Sequence, residues 1–442
     1  MSNDNLWFEQ ALLPDGWARD VHLTIVAGRI TAVEAGVAVG SSERHAIAIP
    51  GMPNLHSHAF QRVIAGLTER RTGHEDSFWG WRDQMYRHLA RIGPDELQAI
   101  AALAYMEMLE GGFTRVGEFH YLHHGPDGPY GDPAEMAGRI TAAAEQTGIG
   151  LTLLPVFYAH AGFGGLPPTP GQGRFIHDLD GFQSLLDASR RHVARLDDAV
   201  VGIAPHSLRA VTPDELTALM PMAAGAPIHV HIAEQVREVE DCLAHTGRRP
   251  VAWLLDHAPV NRQWCLVHAT HMTGDETRRL ARSGAVAGLC PITEANLGDG
   301  VFPGDAFLAD GGAFGIGSDS NVLINAAEEL RLLEYSQRLF HKKRTIINHI
   351  YNKALNGGAR ALGSISGLAV GNPADLVTLD KDHPGFMEKS GDDLLDAYVF
   401  AAGGRAIDCV WRHGKKVVKD GRHIAREAIL ATYRRTLQKI AS

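Results

Sequence analysis

The stretch Pro50-Gly-Met-Pro-Asn-Leu-His-Ser-His-Ala59 holds two histidines one residue apart, His56 and His58. It reads as a strand end opening into a loop. Side chains alternate faces along a strand, so both imidazoles point the same way. Paired imidazoles suit a divalent transition metal. With 24 histidines in 442 residues, chance supplies roughly one such pair, so the reading needs further ligands.

They occur at other apolar segments that read as strands. Residues 227–232 lead into His229-Val-His231-Ile-Ala-Glu234, residues 265–268 into His268-Ala-Thr-His271, and residues 314–317 into Ser318-Asp319. His231 lies nearer its strand end than His229, which is read as a second-layer or core histidine. His271 falls in a loop or helix start. His56, His58, His231 and Asp319 then make three histidines and a carboxylate, the ligand set of a catalytic ion with an open position. Zinc and ferrous iron both suit these donors, with zinc expected. Such an ion lowers the pKa of a bound water to about 7. Glu234, three residues past His231, can take that proton and hand it to a leaving nitrogen. Asp319 shares the transfer, and His268 stabilises charge developing in a tetrahedral intermediate.

From Met1 to His341 there is no lysine; the first is Lys342. That removes a Walker-type phosphate loop, a Schiff-base lysine and a carbamylated lysine bridging two metals, so one ion is expected. An anionic ligand in this span must be held by Arg, His, hydroxyls or backbone. The net charge of −9, without a basic block, argues against nucleic acid or anionic membrane as partner. No apolar run approaches a membrane span, and Met1-Ser-Asn-Asp lacks a signal pattern. The cysteines, Cys242, Cys265, Cys290 and Cys409, are scattered and read as reduced thiols of a cytoplasmic protein.

The elements that must position these residues follow from periodicity. Residues 6–13, 21–26 and 29–33 alternate as antiparallel strands. From about residue 51 strands alternate with helices: a helix over 95–110, strand 114–119, helix 134–146, strand 150–157, helix 179–194, strand 200–204 and helix 213–223. Then come strand 227–232, helix 234–245, strand 265–268, helix 275–282, strands 286–290 and 314–317, and helix 326–339. Eight such units with apolar strands predict a closed parallel (β/α)8 TIM barrel over 51–365. After it, strands return at 374–379, 397–400, 407–411 and 416–418, with a last helix over 425–438. Residues 1–50 and 366–442 are therefore expected to form one small β-sandwich domain into which the barrel is inserted. Strand C-terminal ends carry the chemistry of such a barrel, and those ends are where the ligands fall.

In this order the Pro-Gly-Met-Pro-Asn-Leu-His-Ser-His entry, His231-Ile-Ala-Glu234, His268, Gly317-Ser-Asp319 and Gly371-Asn-Pro-Ala-Asp-Leu-Val-Thr-Leu-Asp380 resemble the mononuclear deaminase branch of the amidohydrolase superfamily. The likeness spans almost the whole chain. Within that branch, His58-Ala-Phe-Gln-Arg-Val-Ile-Ala-Gly-Leu-Thr-Glu69 and Asp76-Ser-Phe-Trp-Gly-Trp-Arg-Asp-Gln-Met-Tyr86 look like the formimidoylglutamate deiminases of bacterial histidine degradation. The resemblance implies hydrolysis of N-formimino-L-glutamate to N-formyl-L-glutamate and ammonia by a homodimer. Such a dicarboxylate needs fixed cations, for which Arg forks are suited. Arg82 and Arg209 are the expected ones, with Gln61, Tyr121 and His206 beside them at the barrel mouth. Residues 61–85 are expected to close over the substrate. The alternatives are a metal-dependent deaminase or chlorohydrolase acting on a nitrogen heterocycle, and a non-catalytic barrel serving as a binding module.

Overall fold

The computed structural model describes residues 4–69, 85–86 and 89–441. Its strands are β1 (Asp4–Leu13), β2 (Gly16–Val26), β3 (Arg29–Glu34), β4 (Glu43–Pro50), β5 (Met52–Ser57), β6 (Phe113–His120), β7 (Gly150–Phe157), β8 (Val200–Val201) and β9 (Ala204–Pro205). The second half supplies β10 (Ile228–Ile232), β11 (Trp264–His268), β12 (Val286–Leu289), β13 (Ala313–Ile316), β14 (Leu376–Leu379), β15 (Ile407–Arg412), β16 (Lys415–Lys419) and β17 (Arg422–His423).

Strands β5 to β13 form the parallel sheet, ordered β10-β11-β12-β13-β5-β6-β7-β8 with β9 beside β7. It closes on itself: the Ile203 amide donates to Pro227 O (3.0 Å), and the His231 amide donates to His206 O (3.0 Å). Every residue of β6, β7, β10, β11 and β12 is buried, as expected when both faces of a parallel sheet are covered. The outer helices begin where sequence chemistry starts them. Pro94–Glu110 opens on proline with Asp95 and Glu96 in its first turn, which satisfies the positive helix end. Pro213–Leu219 is capped by Thr212, whose own amide donates to Glu215 Oε2 at 2.7 Å.

The two chain ends build a second sheet, ordered β17-β16-β15-β14-β4-β1-β2-β3. It folds over so that its far edge meets the segment before β14: the Ile30 amide donates to Asn372 O (3.0 Å) and the Ala374 amide to Gly28 O (2.9 Å). Gly28 has φ +79, and a Cβ there would lie 2.7 Å from the His413 ring, so only glycine suits this turn. Phe8, Val21, Leu23, Ile30 and Trp411 fill the space enclosed. Barrel and sheet meet at a buried ion cluster in which Asp198 binds both Arg115 of β6 and Arg412 of β15. Arg412 also reaches Asp375 at 3.1 Å.

Several local readings change. β4 was not anticipated; its alternation is short and Pro50-Gly51 obscures where it ends. The strand expected over 397–400 is helical, Asp392–Ala397 running into a wide turn over Tyr398–Ala402. Asp392 and Asp393 at a helix start favour that outcome over extension. The strand expected over 200–204 is split at Gly202, where a Cβ would stand 2.5 Å from Pro227 O. Helices Pro250–His257, Pro291–Leu297, Gly304–Ala309 and Ile350–Ala361 are additional. No helix among the described residues is long and apolar enough to cross a membrane.

Candidate active site and metal centre

His56 lies on β5, with His58 just beyond its end, and His231 on β10; Asp319 follows β13. The Nε2 atom of His56 stands 3.2 Å from that of His58 and 3.1 Å from that of His231. Asp319 Oδ1 lies 3.5 Å from the first and 3.3 Å from the second. Four donors around a tetrahedral ion with arms of 2.0–2.1 Å are spaced at about 3.3–3.4 Å, and these spacings are close to that.

Tautomers sharpen the fit. His58 Nδ1 donates to Phe119 O at 2.9 Å, and His231 Nδ1 donates to His206 O at 3.1 Å. Both rings, when neutral, therefore turn a lone pair on Nε2 toward His56. A single His56 proton cannot satisfy both, and hydrogen bonding alone leaves one lone pair facing another. A cation removes the conflict, and carbonyl-oriented imidazoles are the usual support of a metal site. Burial keeps all three rings neutral: it lowers His56 to about 3, and His58 and His231 also fall below the ordinary histidine range. Burial pushes Asp319 upward, but the hydrogen bond from His56 and the surrounding imidazoles, with His268 the charged one, outweigh it and hold Asp319 below the usual carboxylate range. The residues fit a divalent ion.

The backbone is braced around these ligands. The His58 amide donates to Asp319 O (2.9 Å) and the Asp319 amide to His56 O (3.0 Å), locking β5 and β13 together. Asn54 and Asn321 extend the lock: Asn54 Nδ2 donates to Ser318 Oγ (2.7 Å), and Asn321 Nδ2 to His58 O (3.0 Å). Glu118 Oε1 accepts the Ala59 amide at 2.7 Å. His268 and Asp319 have φ of +67 and +44, a region costly for residues with a Cβ and one that clusters at functional sites.

Glu234 and His268 stand beside this centre. His268 Nε2 is 3.8 Å from Glu234 Oε1 and 3.9 Å from Asp319 Oδ2. Burial pushes Glu234 up to about 7, a value suited to both accepting and giving a proton near neutrality. His268 is pushed up to about 10: burial acts downward, but Glu234, Glu294 and Asp319 outweigh it.

Above these residues the cleft is lined by Gln61, Tyr121, His206 and Arg209. Gln61 Nε2 donates to Tyr121 Oη at 3.0 Å. Among the described residues Arg209 has no carboxylate within ion-pair distance. Arg82 lies outside the described residues, as does most of the 61–85 segment. His229 turns away from the cleft, its Nε2 donating to Ala361 O at 2.8 Å. His271, read as loop or helix start, lies in the loop after β11 and does not line the cleft. Sequence reasoning missed Met85, Tyr86, Tyr158, Phe175, Thr293 and Leu297 on the cleft wall, and Glu294 behind His268. The signal for the last was Cys290-Pro291, a strand end meeting a helix-opening proline.

Residues 47–417 match the family model described as the amidohydrolase family. Residues 6–46 match the N-terminal domain of the formimidoylglutamate deiminase HutF. The chain is 50% identical over 438 residues to the formimidoylglutamate deiminase of Pseudomonas aeruginosa, covering 96% of each chain. Its fold matches the crystal structure of an amidohydrolase from Brucella melitensis with a TM-score of 0.96 and 49% identity, over 99% of this chain and 100% of that one. An adenosine deaminase from Xanthomonas campestris with bound zinc matches at a TM-score of 0.83 and 23% identity, over 99% of this chain and 98% of that one, a likeness of fold alone.

Proposed function

This chain belongs to the amidohydrolase family, and from that premise we propose that it hydrolyses N-formimino-L-glutamate to N-formyl-L-glutamate and ammonia, as a step of histidine degradation. The observation that carries the substrate reading is Arg209, a guanidinium on the cleft wall without a carboxylate partner among the described residues. A half-buried cation of this kind suits a ligand that brings its own carboxylate. Half-identity to a formimidoylglutamate deiminase along 96% of the chain supports the same choice.

His56, His58, His231 and Asp319 would hold one divalent ion, zinc in this reading. When bound, the ion supplies a water acidic enough to attack near neutral pH. Arg209 pairs with a substrate carboxylate, and Arg82 with the other. Gln61, Tyr121 and His206 orient the chain between them and aim the formimino carbon at the attacking water. Glu234 takes the water's proton as the C–O bond forms. It then passes a proton to the terminal nitrogen, with Asp319 sharing the transfer. His268, 3.8 Å from Glu234, stabilises the charge that builds between them. The C–N bond to the terminal nitrogen breaks, ammonia leaves, and the carbon keeps the water oxygen as formyl.

The reading includes a homodimer in the cytoplasm and a division into a catalytic barrel, 51–365, and an end-to-end sheet domain, 1–50 with 366–442. All four cysteines are unpaired and buried, which suits a reducing compartment. The test is product identity. One ammonia and one N-formyl-L-glutamate per substrate, followed by NMR of the reaction, supports the proposal; formamide and free glutamate would mean that the other C–N bond breaks.

A further inference from the structure

We infer that Glu294 is a positioning residue for His268, acting through that ring on proton transfer without touching substrate. The inference rests on the hydrolytic reading above. Glu294 Oε1 accepts from His268 Nδ1 at 3.3 Å, and the same oxygen accepts the Cys290 amide at 2.9 Å. A carboxylate only accepts, so the proton between them belongs to Nδ1 of His268. The other nitrogen, Nε2, is then the one turned toward Glu234 (3.8 Å) and Asp319 (3.9 Å).

Three features make this arrangement more than incidental burial. Glu294 is 6% exposed, and among the described residues His268 is the cationic group within ion-pair reach of it. Its helix, Pro291–Leu297, also presents Thr293 and Leu297 to the cleft, so Glu294 is held on the same short element as the site wall. And His268 ends β11 at φ +67, followed by Ala269 at +50, a left-handed backbone outside the usual β range. At that strand end the Glu294 bond fixes the rotation of the ring about its side-chain bonds. The carboxylates around His268 thus divide between its two nitrogens. Glu234 and Asp319 meet Nε2, and Glu294 fixes the opposite edge.

The experiment compares Glu294→Ala and Glu294→Gln with the parent, all metal-loaded, each alone and in a His268→Ala background. The expected scale is that of the groups which orient metal-ligating histidines, about 10- to 100-fold in activity. The expected result for Glu294→Ala is a kcat fall in that range with KM within about twofold and full metal content. Glu294→Gln keeps an acceptor oxygen for both N–H groups, so it should fold as the parent does and recover much of the lost kcat. In the His268→Ala background neither change should cost anything further, because the group being positioned is gone. An equal loss in both backgrounds would overturn the proposal, as would a raised KM at unchanged kcat, or Glu294→Ala turning over at the parent rate. If the parent fails on N-formimino-L-glutamate, the substrate reading falls instead. The ratios between variants are then taken on whichever amine-releasing substrate the parent accepts.

Discussion

The Nε2 atoms of His56 and His231, carried by strands on opposite sides of the barrel, stand 3.1 Å apart. His231 offers a lone pair there because the His206 carbonyl holds its other nitrogen. Two neutral, buried imidazoles in that posture, with His58 making a third, call for a cation. Chelation should therefore abolish ammonia release, and one equivalent of zinc should restore it. Metal-free protein should also melt at lower temperature, since the ion binds only the folded arrangement. Inductively coupled plasma mass spectrometry should find one ion per chain, and His231→Ala should lower that figure toward zero.

Glu234→Gln should leave the metal in place and stop the proton transfer. A general acid–base group contributes about 10²- to 10⁴-fold, and kcat should fall within that range while metal content stays at one. A variant that retains parental kcat would remove Glu234 from the mechanism.

Arg209→Met tests substrate recognition. Hydrogen bonds to charged groups contribute about 1.5–3 kcal/mol, so kcat/KM for the dicarboxylate should fall about 10- to 100-fold, chiefly through KM. Metal content and melting temperature should stay near parental values, because Arg209 makes no ion pair with a described carboxylate. Unchanged kcat/KM would place the carboxylate elsewhere.

Gly317→Ala tests how β13 and β5 are coupled. A Cβ at Gly317 would lie 2.7 Å from His56 O and 2.8 Å from His56 N. The strand that bears His56 and leads into His58 must then shift, and both metal affinity and stability should drop. Equilibrium dialysis against zinc measures the first and thermal melting the second.

Asp198, which joins barrel and sheet, sets an acid-dependent share of stability. Burial raises its carboxyl, but Arg115 and Arg412 outweigh that and hold it below the usual carboxylate range. A group with a depressed folded pKa contributes fully above its unfolded value of about 3.9, and that contribution is lost as pH falls through the lower folded value. Asp198→Asn leaves two buried guanidiniums underpaired and should cost about 3 kcal/mol at neutral pH. The gap in melting temperature between parent and variant should narrow as the pH drops below about 4.

The ligands were legible in the sequence because barrel geometry does the gathering: a histidine at a strand's C-terminal end has few places to point. His56, His58, His231 and Asp319 are remote in sequence and converge for that reason. Glu294 was not legible, because it acts from the seven-residue helix Pro291–Leu297, too short for a helical period to stand out. Tyr158 and Phe175 reach the cleft from the ends and loops of neighbouring units, where no pattern marks a side chain as facing inward. The segment 397–400 read as a strand from its apolar run, yet an acidic helix start at Asp392 decides its conformation. The Arg209 reading joined charge logic, a dicarboxylate needing fixed cations, to a place just past the fourth barrel strand, and one measurement tests it together with the metal centre.

That measurement is ammonia release by the metal-loaded protein from N-formimino-L-glutamate beside guanine, cytosine and adenosine at equal concentration. Turnover of N-formimino-L-glutamate alone, lost with Arg209→Met, is the expected result. Release from a heterocycle alone would leave the metal centre and Glu234 in place but contradict the assignment of the cleft to a dicarboxylate.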